Sequence, residues 1–201
     1  MKITVLTLFP EMFRALDESI LGRAQREGKV RLEIVNIRDF TEDKHLKCDD
    51  YPFGGGAGMV MMAQPVGSAV EAVDPRHTAR RIYLSPKGRT LTQEKVISLS
   101  DEEELVLLCG HYEGVDQRAI DLFIDEELSI GDYILTGGEL PAMVLVDCVT
   151  RYLDGVLSPE SLVQESFSEN LLDLFGLFYL YENARIFAEQ YLYEVLFGKV
   201  I

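Results

Sequence analysis

Leu105-Val106-Leu107-Leu108-Cys109, closed by Gly110, is the stretch on which the fold turns. Successive side chains of a strand point to opposite faces, so a strand with one wet face alternates apolar and polar residues. This run does not alternate. A strand apolar on both faces belongs in the middle of a parallel sheet that has helices on either side. Upstream, Arg81-Ile82-Tyr83-Leu84-Ser85 reads as a second strand, ended by Pro86-Lys87-Gly88, with a helix over Thr92 to Ser98 between the two. Downstream, Val115 to Phe123 reads as helix and Leu128 to Leu135 as extended chain. Gly137-Gly138 makes a turn, and Glu139 to Leu153 forms a helix with Pro141 in its first turn. Nearer the N-terminus, Ile3 to Phe9 is β-branched and apolar, and Phe13, Leu16, Ile20 and Ala24 recur at helical spacing before Gly28. Val30, Leu32 and Ile34 then alternate as a half-buried strand. Asp49 to Gly58, with four glycines and a proline, reads as loop, and Gln64 to Val73 as helix. Strands that alternate with helices give an α/β fold with a mainly parallel sheet.

The chain of 201 residues is long enough to bury a core without metal or disulfide staples. Three cysteines (Cys48, Cys109, Cys148) with no CxxC pair argue against a disulfide framework or a zinc site. Apolar stretches such as Leu174 to Tyr181 are far short of the ~20 residues of a membrane span. No secretory signal opens the sequence, so a reducing cytoplasm is expected. The formal net charge of −15 disfavours nucleic acid as a partner unless basic residues cluster locally. Residues 152–201 contribute eight acidic and two basic side chains to that balance. From Leu171 onward the chain is rich in aromatics (Phe175, Phe178, Tyr179, Tyr181, Phe187, Tyr191, Tyr193, Phe197), which suits a helix packing an aromatic face on the domain.

Glycine placement carries the chemistry. Ser85-Pro86-Lys87-Gly88, Cys109-Gly110-His111-Tyr112-Glu113-Gly114 and Thr136-Gly137-Gly138-Glu139 each follow a strand. Ligands of open α/β sheets bind beyond the carboxyl ends of the strands. Three such breaks at one sheet edge can line a single pocket. Standard phosphate motifs do not apply: Gly54-Gly55-Gly56-Ala57-Gly58 is not GxxxxGK[ST] and does not open a helix directly after a strand. His45, His77 and His111 are scattered, with neither an HExxH pattern nor a nucleophile elbow. Acid and base candidates near the loops are Asp49, Asp50, Glu113, Asp132, Arg151 and Glu165.

Read together, several segments resemble the bacterial tRNA (guanine-N1)-methyltransferases of the SPOUT class. They are Thr7-Leu8-Phe9-Pro10-Glu11-Met12-Phe13, Asp50 to Met59, Tyr83 to Gly88, Cys109 to Asp116 and Ser129 to Ala142. The resemblance runs nearly without gaps to about residue 173. It implies a SPOUT methyltransferase fold with a deep C-terminal trefoil knot, an obligate homodimer, S-adenosylmethionine as cofactor and the tRNA anticodon arm as substrate. Carried over by position, the cofactor residues are Tyr83, Leu84, Ser85, Pro86, Gly110, Tyr112, Glu113, Ile130, Gly131, Asp132, Tyr133, Ile134, Leu135, Gly137, Gly138 and Pro141. No metal site is implied. The family's general base, usually Asp, falls on Glu165, its catalytic arginine on Arg151, and a further active-site residue on Asp50. N1 of guanine is a poor nucleophile until its proton leaves, so a carboxylate to take the proton and a cation near O6 suit the reaction.

After Leu171-Leu172-Asp173 the chain departs from the family pattern of a proline- and arginine-bearing linker followed by a basic tRNA-binding domain. The expected organisation is a knotted methyltransferase domain over 1–157, a family-like linker over 158–173 and an atypical aromatic, helical tail over 174–201. Two readings follow: a working tRNA methyltransferase, or a knotted cofactor-binding domain that no longer methylates tRNA productively. Phosphate contacts supply most non-specific nucleic-acid affinity, so an acidic tail in place of a basic domain weakens tRNA binding in either reading.

Overall fold

A computed structural model describes residues 1–52, 54–56 and 58–163. The chain divides into two units, Met1–Leu157 and Ser158–Ile201. Glu165, the linker beyond residue 163 and the aromatic tail lie outside the described residues.

The first unit carries a five-stranded sheet with two layers of helices. Its elements run β1 (Lys2–Thr7), a 3₁₀ helix (Pro10–Asp17), α1 (Ser19–Arg26), β2 (Arg31–Asn36) and a short 3₁₀ helix (Ile37–Phe40). Then follow β3 (Asp49–Asp50), β4 (Val60–Met61), α2 (Ala63–Val73), β5 (Arg80–Thr90), α3 (Gln93–Ser100) and β6 (Glu104–Cys109). The series closes with α4 (Gln117–Phe123), β7 (Glu126–Ser129) and α5 (Glu139–Arg151). The main sheet has the order β2-β1-β6-β5-β7, and every neighbouring pair is parallel.

β6 lies between β1 and β5, as its uninterrupted apolar run requires. Leu105, Leu107 and Cys109 enter one core with Phe13 and Leu16, with Val96 and Leu99 of α3, and with Ala142, Leu145, Val146 and Val149 of α5. Val106 and Leu108 enter the other, with Val66, Ala69 and Val70 of α2 and Ala119 and Ile120 of α4. Helices cover both faces, so a polar side chain at any position from Leu105 to Cys109 would be buried without a partner.

Four local expectations need correction. The helix read through Phe13 and Ala24 is two pieces, broken at Glu18 and Ser19; Ser19 takes a left-handed φ of 54° and the pieces pack on each other. The glycine-rich stretch from Asp49 is not wholly loop, because Asp49 and Asp50 pair antiparallel with Met61 and Val60 and pin its ends. β5 does not stop at Pro86. Leu84 and Arg89 both stand opposite Leu128 of β7, so Ser85 to Gly88 bulge out between two paired stretches. Proline has no N–H to give a ladder, and within the excursion the Lys87 N–H donates to Ser85 Oγ at 3.2 Å instead. Finally, the extended chain expected from Leu128 to Leu135 is strand only as far as Ser129. There the Ser129 hydroxyl donates to the Gly131 carbonyl at 2.9 Å and accepts from the Gly131 N–H at 3.2 Å, which turns the chain.

In the second unit the described residues form α6 (Pro159–Val163), with the Ser158 carbonyl accepting from the Ser161 N–H at 3.0 Å. No helix of the described residues is long and apolar enough to cross a membrane.

Candidate active site

The mid-strand excursion of β5 and the carboxyl ends of β6 and β7 open into one cavity of about 290 Å³, completed by the turn before α5. The three glycine breaks meet there. Of the residues expected to hold a cofactor, all except Asp132 line this cavity. Ser129, Lys87, His111, Gln117, Ile120, Glu127 and Thr136 line it as well, and sequence reasoning did not select them for it.

Two glycines are required by close approach. A Cβ on Gly110 would sit 2.7 Å from the Tyr83 hydroxyl, because the Tyr83 ring lies directly beneath. A Cβ on Gly138 would sit 2.8 Å from both Cys109 Cα and Gly110 N, and the Gly138 N–H donates to the Gly110 carbonyl at 2.8 Å. The turn before α5 therefore lies against the end of β6, backbone on backbone.

The loop after β6 is held in a conformation that side chains rarely adopt. Tyr112 has φ 59°, within a turn closed by the Gly114 N–H donating to the His111 carbonyl at 3.2 Å. Such a residue persists only where its surroundings over-determine it. Here the Glu113 N–H donates to Met59 O and the Met61 N–H to Gly114 O, both at 2.9 Å, which ties the loop to β4. Gly58 passes so close to Glu113 that any Cβ there would strike its side chain.

Burial, then the nearby Glu127 charge, pushes the Tyr83 phenol up to about 12, against a hydrogen bond from the Val115 backbone. Tyr83 is thus a neutral floor. Burial, with Glu139 adding to it, also raises the Cys109 thiol well above its ordinary value, so this cysteine is core and not a nucleophile. Glu139 opens α5 with only 2% of its surface exposed and accepts from the Thr7 hydroxyl at 2.9 Å. Beside it, Phe9, Met12, His111, Thr136, Gly137 and Leu140 complete a smaller cavity of about 160 Å³.

Two of the expected catalytic residues, Asp50 and Arg151, are not among the residues that line the cavity. Asp50 is exposed on β3, where it accepts from the Tyr51 N–H at 2.8 Å and lies 3.8 Å from Lys47 Nζ. Arg151 is half-buried in the last turn of α5, whereas the cavity borders the first turn at Gly138 and Pro141. A 13-residue helix puts roughly 18 Å between its ends. Glu165 lies outside the described residues.

Known proteins similar to this chain fall in one family. The family model described as tRNA (Guanine-1)-methyltransferase TrmD matches residues 1–180. A tRNA (guanine-N(1)-)-methyltransferase of Ruminiclostridium cellulolyticum is 58% identical over 177 residues, covering 86% of this chain and 76% of its own. One from Caldanaerobacter subterraneus is 57% identical over 171 residues, covering 84% and 70%. Among solved structures, the crystal structure of a tRNA methyltransferase from Aquifex aeolicus superposes with a TM-score of 0.74 at 33% identity, covering 92% of this chain and 91% of that one. With three glycine-bearing loops gathered on one cavity and a family match over most of its length, the chain belongs to the tRNA (guanine-1)-methyltransferase family.

Proposed function

We propose that this chain, as a homodimer, transfers a methyl group from S-adenosylmethionine to N1 of the guanine 3′ of a tRNA anticodon. The observation that carries the reading is the meeting of the three glycine-bearing loops at one cavity, in a member of a tRNA methyltransferase family. The residues fit the cofactor. Tyr83 offers a neutral apolar floor, and the backbone at Gly110, Ile130 to Leu135 and Gly137-Gly138 offers N–H and C=O groups to a purine edge and ribose hydroxyls. When bound, S-adenosylmethionine supplies a methyl group made electrophilic by its sulfonium.

The protein's own tasks are to hold guanine in line with that methyl and to take the N1 proton. Positioning supplies most of such an acceleration. Glu165 is the base, with Arg151 near O6 to stabilise the charge that develops as the proton leaves. Asp50 sits on the hairpin that ties, through Met61, to the Val115 end of the loop after β6, a place from which it can face the RNA. Because Arg151 is roughly 18 Å along α5 from Gly138, it serves the cavity of a second protomer rather than its own. The exposed apolar side chains Leu140 and Val144, one helical turn apart on α5, support that pairing. The backbone crossing of Gly138 against Cys109 and Gly110 supports a knotted chain at the same place.

The test is transfer of labelled methyl to a tRNA with guanine 3′ of the anticodon, beside the same tRNA with adenine there. Guanine-dependent transfer is expected. Equal labelling of both tRNAs, or of neither, overturns the reading.

A further inference from the structure

The two glutamates that open β7 go different ways. Glu126 accepts from Arg80 Nε and Lys95 Nζ, both at 2.8 Å, on the side of α3. Alternation then turns Glu127 to the opposite side, into the cavity and towards Tyr83. Glu127 is half-buried, yet its carboxylate has neither an ion pair nor a hydrogen bond among the described residues. A carboxylate that borders a cavity without a counter-charge leaves its negative potential directed at whatever binds there. The lining repeats that sign: Glu113 is a second carboxylate, and among the described residues the only lysine or arginine in it is the exposed Lys87. This half-empty charge balance calls for a cationic ligand.

We propose that Glu127 is the residue by which the cavity distinguishes the cationic adenosyl donor from its neutral by-product. The inference rests on the reading that the cavity takes S-adenosylmethionine. That donor carries a sulfonium and an ammonium against one carboxylate. Once the methyl has gone, the sulfonium is a neutral thioether, and S-adenosylhomocysteine carries one positive charge fewer. A fixed carboxylate in a partly desolvated cavity favours the first species over the second. The spent cofactor then leaves for electrostatic reasons, with no movement of the loops required. Sequence alone hides this role, because Glu126 and Glu127 are chemically identical and only the register of β7 against β5 separates them.

The experiment is calorimetric titration of the full chain at low salt and without tRNA, so it reads binding alone. The ligands are S-adenosylmethionine, its amine analogue sinefungin, which keeps a positive charge in place of the sulfonium, and S-adenosylhomocysteine. The wild type is expected to bind both cationic ligands more tightly than the thioether. Glu127→Gln is expected to lose about tenfold, or ~1.4 kcal/mol, on the cationic ligands and less than about twofold on the thioether. Glu127→Asp, which keeps the charge, should retain the preference. Glu126→Gln should retain it too while lowering the melting temperature. Equal losses on all three ligands in Glu127→Gln would assign the residue to ribose hydroxyls and overturn the inference, and so would unchanged affinities. A wild type that binds none of the three would remove the cofactor reading itself, a failure distinct from loss of the preference alone.

Discussion

At the scale of single residues, the site is built by what is missing. Gly138 has φ −82°, which any residue adopts, so its need for glycine is steric and not conformational. The turn before α5 sits on the backbone of Cys109 and Gly110, and a methyl group there meets atoms that cannot step aside. Gly138→Ala is therefore expected to cost about 1–3 kcal/mol, the usual range for overpacking, and to lower the melting temperature by several degrees. It should also weaken S-adenosylhomocysteine binding, because the crossing that is pried apart forms the wall of the cavity. A melting scan with and without ligand checks both. An alanine variant with the wild-type melting temperature and ligand shift would mean the crossing is looser than 2.8 Å implies. Tyr112 makes the complementary point: there a large side chain accepts a left-handed backbone because the ties to Met59 and Met61 leave it no alternative.

At the scale of elements, α5 does two things at once. Ala142, Leu145, Val146 and Val149 bury one face against the sheet, while Leu140 and Val144 leave apolar surface on the other. Its first turn borders the cavity and its last turn holds Arg151, so one helix links the cofactor end to the residue expected beside the guanine. If two copies pair across this face, a charge at its centre should part them. Val144→Asp is expected to convert a dimer to a monomer in sedimentation. It should abolish methyl transfer while leaving the S-adenosylhomocysteine melting shift, since the three glycine-bearing segments that gather at the cavity belong to one chain's own sheet. A dimer that persists in this variant would place the contact elsewhere.

At the scale of the whole molecule, one buried and one half-buried carboxylate tie the layers together. Asp74, at the end of α2, accepts from Arg81 Nε of β5 and from the Thr78 N–H, both at 2.8 Å. Burial works against its charge, but the Thr78 and Arg81 hydrogen bonds and the Arg81 charge outweigh it and hold the carboxyl below its ordinary value. Glu126 is likewise held down against burial by Arg80 and Lys95, which joins β5, α3 and β7. A carboxyl depressed in the folded state adds stability above its unfolded pKa, and that stability is lost as pH falls through the folded value. Stability should therefore fall as pH drops below about 4, and Asp74→Asn should flatten that dependence. Denaturant titrations of both proteins between pH 3 and 7 test this. Because Asn cannot replace the ion pair to Arg81, the variant is also expected to be less stable at neutral pH by about 3–5 kcal/mol.

Much of this was legible in the residues alone. The apolar run of β6 determined a sheet covered on both faces, because burial on both sides is the only way to hide five consecutive apolar side chains. Of the glycine breaks, Gly110 marked the end of β6, whereas Gly88 lies inside β5 and Gly137-Gly138 stand beyond a turn that leaves β7 at Ser129. Only the tertiary structure decided which strand ends meet, since strand order depends on pairings between residues dozens of positions apart. It decided that β5 resumes beyond Pro86, because pairing with β7 restores the ladder at Arg89 and Thr90. It separated Glu126 from Glu127, since facing follows register and not residue type. And it set Arg151 at the far end of α5 from the cavity, because a helix turns nearness in sequence into a fixed rise of about 1.5 Å per residue along one axis.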